Sequence, residues 1–128
     1  MVTLKPVAKI NPRDVLADNK YYVQVVSTGK TDLERLAYLV SNQSTVREGD
    51  CYAVILSLLH NIMDELMQGR IVKLDKLGSF QLGVSSEGVP NAQDVNQYLV
   101  KDIRIKFRPD KRMKKNLNLK TVAFTMES

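Results

Sequence analysis

Arg104, Lys106 and Arg108 alternate with Ile103, Ile105 and Phe107, and Pro109-Asp110-Lys111-Arg112-Met113-Lys114-Lys115 follows without a break. In a strand successive side chains point to opposite faces, so the three cations form one row while the apolar residues bury on the other side. The chemistry available to such a row is recognition. Each Lys or Arg that neutralises a phosphate releases a condensed counterion, so a polyanion is the expected partner. Across 100–120, nine Lys or Arg stand against Asp102 and Asp110, a net +7, whereas the whole chain carries +5. The rest is therefore net −2 and the positive charge is local. Ordinary solvated faces intersperse both signs, and this one does not.

Nothing comparable supports catalysis. The single cysteine, Cys51, lies within an apolar helical pattern where a free thiol behaves as a small hydrophobe. The single histidine, His60, has no second histidine or CxxC to complete a metal site or a catalytic pair. P-loop, GxGxxG and HExxH strings are absent. The chain reads as a non-enzyme with no cofactor, metal or small-molecule ligand.

The elements that must position the row follow from periodicity. At 128 residues, 44% hydrophobic and 26% charged, the composition is that of one ordinary globular domain, with a core small enough that a partner could usefully cover apolar surface. No apolar stretch approaches the roughly 18 residues of a membrane span, and no secretory signal is visible, so a cytoplasmic setting without membrane partners is expected. Residues 1–29 read as an N-terminal extension with one strand, at 21–26. Capping boxes at Thr31-Asp32-Leu33-Glu34 and Thr45-Val46-Arg47-Glu48 open two helices, about 32–42 and a long one ending at Gly69. Ile55, Leu58, Leu59, Ile62 and Leu66 cover more than a narrow stripe of the second, so it should be buried on two sides, one of them against a second copy. A hairpin over 71–84 is expected with Gly78 supplying the positive φ of its turn and Phe80, Leu82 and Val84 facing the helices. Residues 85–100 read as a loop or protruding ribbon, 110–117 as a short basic helix, and Val122, Phe124 and Met126 as a last strand paired with 21–26.

Leu77-Gly78-Ser79-Phe80 is similar to a Gly-Phe-Gly-Asn-Phe segment, and Phe107-Arg108-Pro109-Asp110-Lys111 to a Phe-Lys-Pro-Gly-Lys segment, of one family. In that order, after two helices and across a long arm, residues 31–117 resemble the HU and integration host factor family of bacterial histone-like DNA-bending proteins. The terminal extensions and Gly-Ser in place of Gly-Asn resemble its divergent HU-related branch of Bacteroides type. The resemblance implies an α+β, HU/IHF-like fold: two N-terminal helices, a three-stranded antiparallel sheet with a protruding arm (85–100), a short C-terminal helix and extra flanking strands. In domain terms, 1–29 is the extension and 30–128 the HU-like DNA-binding domain, with an extra strand at 120–127, in a single compact domain overall.

Family membership also implies an intertwined homodimer, with a heterodimer of related chains permitted, whose interface would include Ile55, Leu58, Leu59, Ile62, Leu66 and Phe80. On this resemblance Arg104, Lys106 and Arg108 line a DNA-binding saddle, Lys111, Arg112, Lys114 and Lys115 extend it, and Gly78 and Ser79 match a turn that approaches phosphates. The arm departs from the family. Residues 85–100 contain no Lys or Arg but include Glu87 and Asp94, and Pro90 is the one wedge candidate, without an Asn-Pro context or flanking arginines. The expected function is non-sequence-specific double-stranded DNA binding with an architectural, nucleoid-associated role. The alternative is an HU-like structural or protein-interaction module that has lost DNA bending. Single-stranded RNA is disfavoured because the basic row carries no outward aromatic platform.

Overall fold

The chain, in this computed structural model describing residues 1–10, 12–14, 16 and 19–128, runs through strands β1 (Val2–Lys9) and β2 (Lys20–Val26) and helices α1 (Leu33–Asn42) and α2 (Glu48–Met67). Strands β3 (Val72–Leu74), β4 (Gly78–Ser86) and β5 (Val100–Pro109), helix α3 (Lys111–Asn116) and strand β6 (Phe124–Met126) complete it. The class is α+β with two three-stranded sheets, ordered β2-β1-β6 and β3-β4-β5. They belong to two compact units, Leu33–Lys115 and the joined termini Met1–Asp32 and Asn116–Ser128. The expected single compact domain is thus two, and the strand in 120–127 belongs with the N-terminal extension.

The terminal unit holds two N-terminal strands where one was expected. β1 escapes a sequence reading because Pro6 interrupts its alternation, and a proline ordinarily excludes a central strand. Here the Val2 amide donates to the Ala123 carbonyl and the Leu4 carbonyl accepts from Glu127, so even-numbered residues of β1 turn their backbone groups toward β6. β6 pairs with β1 only as far as Leu4–Met126, so Pro6, which has no N–H to donate, stands just past the end of that ladder. β6 also pairs with β1, in parallel, and not with β2 as expected.

In the other unit α1 packs on α2, and Ala37 is wholly buried where they meet. α2 begins at Glu48, with Arg47 in the capping position and no side-chain cap, so the Thr45 box does not form. Its end matches expectation. Gly69 (φ +80) donates to Leu66 and Arg70 to Glu65, the paired bonds of a Schellman motif, and the Arg70 guanidinium lies 2.8 Å from the Glu65 carboxylate.

The β3–β4 turn corrects the assignment of Gly78. Leu74 pairs with Gly78, so the loop is Asp75-Lys76-Leu77 and its left-handed residue is Lys76 (φ +75). Gly78 (φ +157) already lies in β4, where a Cβ would stand 2.5 Å from the Arg108 carbonyl and 2.6 Å from the Phe107 ring. Space, more than turning, requires glycine there. α2 lies against β3 and β4, but Val84 is exposed, so the expected facing of Phe80, Leu82 and Val84 to the helices fails at its far end. The expected loop at 85–100 is shorter: β4 runs through Ser86, β5 starts at Val100, and the connection contains 3₁₀ turns at Ala92–Asp94 and Gln97–Leu99.

Candidate nucleic-acid interface

The β4–β5 register fixes which side chains share a face, because directly paired residues of antiparallel strands point the same way. Arg104 pairs with Gly83, Lys106 with Gln81 and Arg108 with Ser79, while Ser79 also pairs with Lys73 of β3. One face of this sheet therefore presents Lys73, Arg104, Lys106 and Arg108 among Ser79, Gln81 and Gly83. The other carries the pairs Phe80–Phe107, Leu82–Ile105 and Val84–Ile103, with the two phenyl rings 4.9 Å apart. The β5 alternation read from sequence holds as a division of faces, but Ile103, Ile105 and Phe107, expected to be buried, are exposed in the single chain.

All four cations of the polar face are exposed. Arg104 Nη2 donates to the Val84 carbonyl at 3.1 Å, which ties its guanidinium to the adjacent strand. Lys106 lies across Gly83, where a Cβ would stand 2.6 Å from its Cε. Ile71, Ser79, Gln81, Lys106, Phe107 and Arg108 line a shallow groove of about 430 Å³. Among the described residues Arg104, Lys106 and Arg108 form no ion pair, while Lys73 Nζ stands 3.9 Å from Asp75.

The two acids of the segment are occupied locally. Asp102 Oδ1 accepts from the Ile103 amide at 2.9 Å, and Asp110 Oδ2 accepts from the Arg112 amide at 3.0 Å. The second bond caps α3, and the Asp110 amide donates to the Leu77 carbonyl, holding the start of α3 to the β3–β4 turn. Lys111, Lys114 and Lys115 follow at helical spacing on one side of α3, and Arg112 projects from another. The structure thus joins Ser79 to the cationic row and puts Gly78 at the row's end, opposite Pro109.

Pro90 lies elsewhere. It is exposed in the connection beyond the Ser86–Val100 pair, at the opposite end of the β4–β5 hairpin from Gly78, about 30 Å away at 3.4 Å per residue. Glu87 in that connection lies 3.8 Å from Lys101. Of the interface candidates, Leu58 and Leu59 are exposed and Ile55, Ile62 and Phe80 half-buried, whereas Leu66 is 7% exposed and already covered within the chain. Lys73 and Gln81 were missed in the sequence. The alternation Val72-Lys73-Leu74, set against Ser79 by the short turn, was the available signal.

Comparison with known proteins places this geometry. No curated protein matches the sequence. A candidate bacterial DNA-binding protein of Bacteroides vulgatus has a similar structure, with TM-score 0.62 and 17% identity over 97% of this chain and 47% of the other, so this chain spans about half its length. The HU of an Anabaena HU–DNA cocrystal is similar with TM-score 0.55 and 17% identity, over 70% of this chain and 99% of that one. Residues 5–124 match the family described as HU domain fused to wHTH, Ig, or Glycine-rich motif, HU-HIG, and the chain belongs to that HU-related family.

Proposed function

We propose that the chain binds double-stranded DNA without sequence specificity, as a homodimer, in an architectural role at the nucleoid in the cytoplasm. The observation that carries this reading is the face bearing Lys73, Arg104, Lys106 and Arg108, with no carboxylate among the described residues paired to its β5 cations. Phosphates are its natural ligands, and phosphate contacts position a protein without reading bases. Gly78, Ser79, Lys111, Arg112, Lys114 and Lys115 would widen the contact. The DNA in the Anabaena cocrystal supports the assignment of ligand class.

The homodimer reading is supported by what one chain leaves uncovered. Among the described residues only Ala37, Cys51 and Leu66 are buried apolar side chains, while Ile103 and Ile105 are 61% and 69% exposed and Val54, Leu58 and Met63 also face solvent. Covering one such side chain contributes about 1.5–3 kcal/mol, so the exposed faces of α2 and β5 have much to gain from a second copy. In this reading 87–99 forms the arm. With Glu87 and Asp94 and no Lys or Arg in 85–100, the arm gains little from phosphates, which favours saddle binding over strong bending and Pro90 as an ordinary loop proline. The same acidic arm favours the alternative, a protein-interaction module.

Binding of a labelled duplex of about 30 base pairs across a salt series, with the oligomeric state measured in the same buffer, separates them. Three β5 cations from each of two protomers predict a slope of log K on log salt near −5, at about −0.9 per phosphate contact. A folded dimer that ignores duplex DNA at low salt would overturn the DNA reading and leave the interaction module.

A further inference from the structure

The terminal sheet divides as sharply as the other one. Leu4 pairs with Val25 and Met126, Pro6 with Val23, Ala8 with Tyr21, and Val2 with Phe124, so one face carries Val2, Leu4, Pro6, Ala8, Tyr21, Val23, Val25, Phe124 and Met126 with no polar side chain beyond the tyrosine hydroxyl. The opposite face carries Lys5 beside Gln24, Lys9 beside Lys20, Val7 beside Tyr22, and Thr3 beside Val26 and Thr125. Its charges are of one sign.

Lys9 and Lys20 are directly opposed across the strands, an arrangement that destabilises a sheet unless an anion lies between them. Lys5, Lys9 and Lys20 are exposed and form no ion pair among the described residues, and Lys9 Nζ stands 5.1 Å from the centre of the Tyr22 ring. Lys5 and Lys9 are four residues apart, about 13 Å along the strand, the separation of Arg104 and Arg108 on β5. A flat row of this length suits an extended polyanion better than a small ligand. Gln24, Thr3 and Thr125 add neutral donors of the kind that contact phosphate oxygens. The apolar face is itself exposed in the single chain, with Tyr21, Val23 and Val25 at 74%, 64% and 61%, and it has more to gain from being covered than the lysine face.

We propose that Lys5, Lys9 and Lys20 on the lysine-bearing face of the terminal sheet form a second phosphate-binding surface for double-stranded DNA, distinct from the β5 row. The inference rests on the DNA-binding reading above and adds contacts from β1 and β2 to those of the β5 row.

The test compares the full chain, the variant Lys5→Gln/Lys9→Gln/Lys20→Gln and its charge-keeping counterpart with Arg at the same positions on one 30-base-pair duplex across a salt series. Loss of the lysines should flatten the salt slope by about 0.9 for each phosphate contact removed, and the Arg variant should restore it. Without DNA, the triple Gln variant should have a raised urea midpoint because the opposed Lys9–Lys20 pair is relieved, which also shows that it folds. An unchanged slope in the Gln variant, while Arg104→Gln/Lys106→Gln/Arg108→Gln flattens it, overturns the second surface and leaves the first intact. Absence of duplex binding by the unaltered chain overturns both.

Discussion

Two glycines on β4 face the same prospective crowding with opposite consequences, and replacing each by alanine tests how the hairpin is held. At Gly78 a Cβ would stand 2.5 Å from the Arg108 carbonyl and 2.6 and 2.9 Å from two atoms of the Phe107 ring. Backbone and a ring packed against Phe80 cannot swing aside, so β4 and β5 must separate locally. Overpacking of this kind costs about 1–3 kcal/mol. The φ of +157 that Gly78 adopts adds about 1–3 kcal/mol of strain for a residue bearing a Cβ. Gly78→Ala should therefore cost about 2–6 kcal/mol, a large part of the roughly 5–15 kcal/mol typical of a folded protein. At Gly83 the nearest atom is also 2.6 Å away, but it is the Cε of Lys106, the far end of an exposed and flexible side chain. Gly83→Ala should cost less than about 0.5 kcal/mol and displace only the lysine. Urea unfolding at one fixed protein concentration, since association couples to stability, measures both. Equal costs at the two positions, or a Gly78→Ala cost under about 0.5 kcal/mol, would refute the reasoning that the identity of the obstructing atom decides the penalty.

Removing the β5 row with Arg104→Gln/Lys106→Gln/Arg108→Gln should flatten the salt slope of duplex binding by about 5 in a dimer making six such contacts, read by fluorescence anisotropy. Ile105→Asp places a charge on the exposed half of the apolar sheet face, so sedimentation should show the dimer shifted toward monomer, and an unchanged dimer would remove that face from the interface. Lys76→Gly relieves a left-handed non-glycine residue and should raise stability by about 1 kcal/mol in the same urea assay. Pro90→Ala should leave duplex affinity and the end-to-end distance of a doubly labelled duplex unchanged; a lengthened DNA would make Pro90 a wedge after all.

What the sequence disclosed and what it withheld divide along the range of the interactions involved. The alternation of β5, the helical periodicity of α1 and α2 and the glycine end of α2 are local patterns, and the structure reproduces them. Lys73 was hidden because its membership of the cationic face depends on a register set by Lys76, a residue type that rarely takes a left-handed φ. β1 was hidden because Pro6 is tolerable only where β6 happens to stop. The β1–β6 pairing joins residues from opposite ends of the chain, and no local pattern encodes it. The capping box at Thr45 shows the converse, a good local signal overridden when the helix begins three residues later.

That union of the ends has a consequence for the order in which the protein is made. As the chain leaves the ribosome, β1 and β2 can pair early, being separated by only ten residues. The edge of β1 that awaits β6 then stays bare until Phe124, Thr125 and Met126 have been synthesised. An open strand edge beside an all-apolar sheet face is a template for pairing with another chain. Lys5 and Lys9 on β1, together with a proline that cannot donate from that edge, are the features that blunt it, so the proline that spoils the strand's pattern in the sequence helps protect the nascent chain until β6 is made.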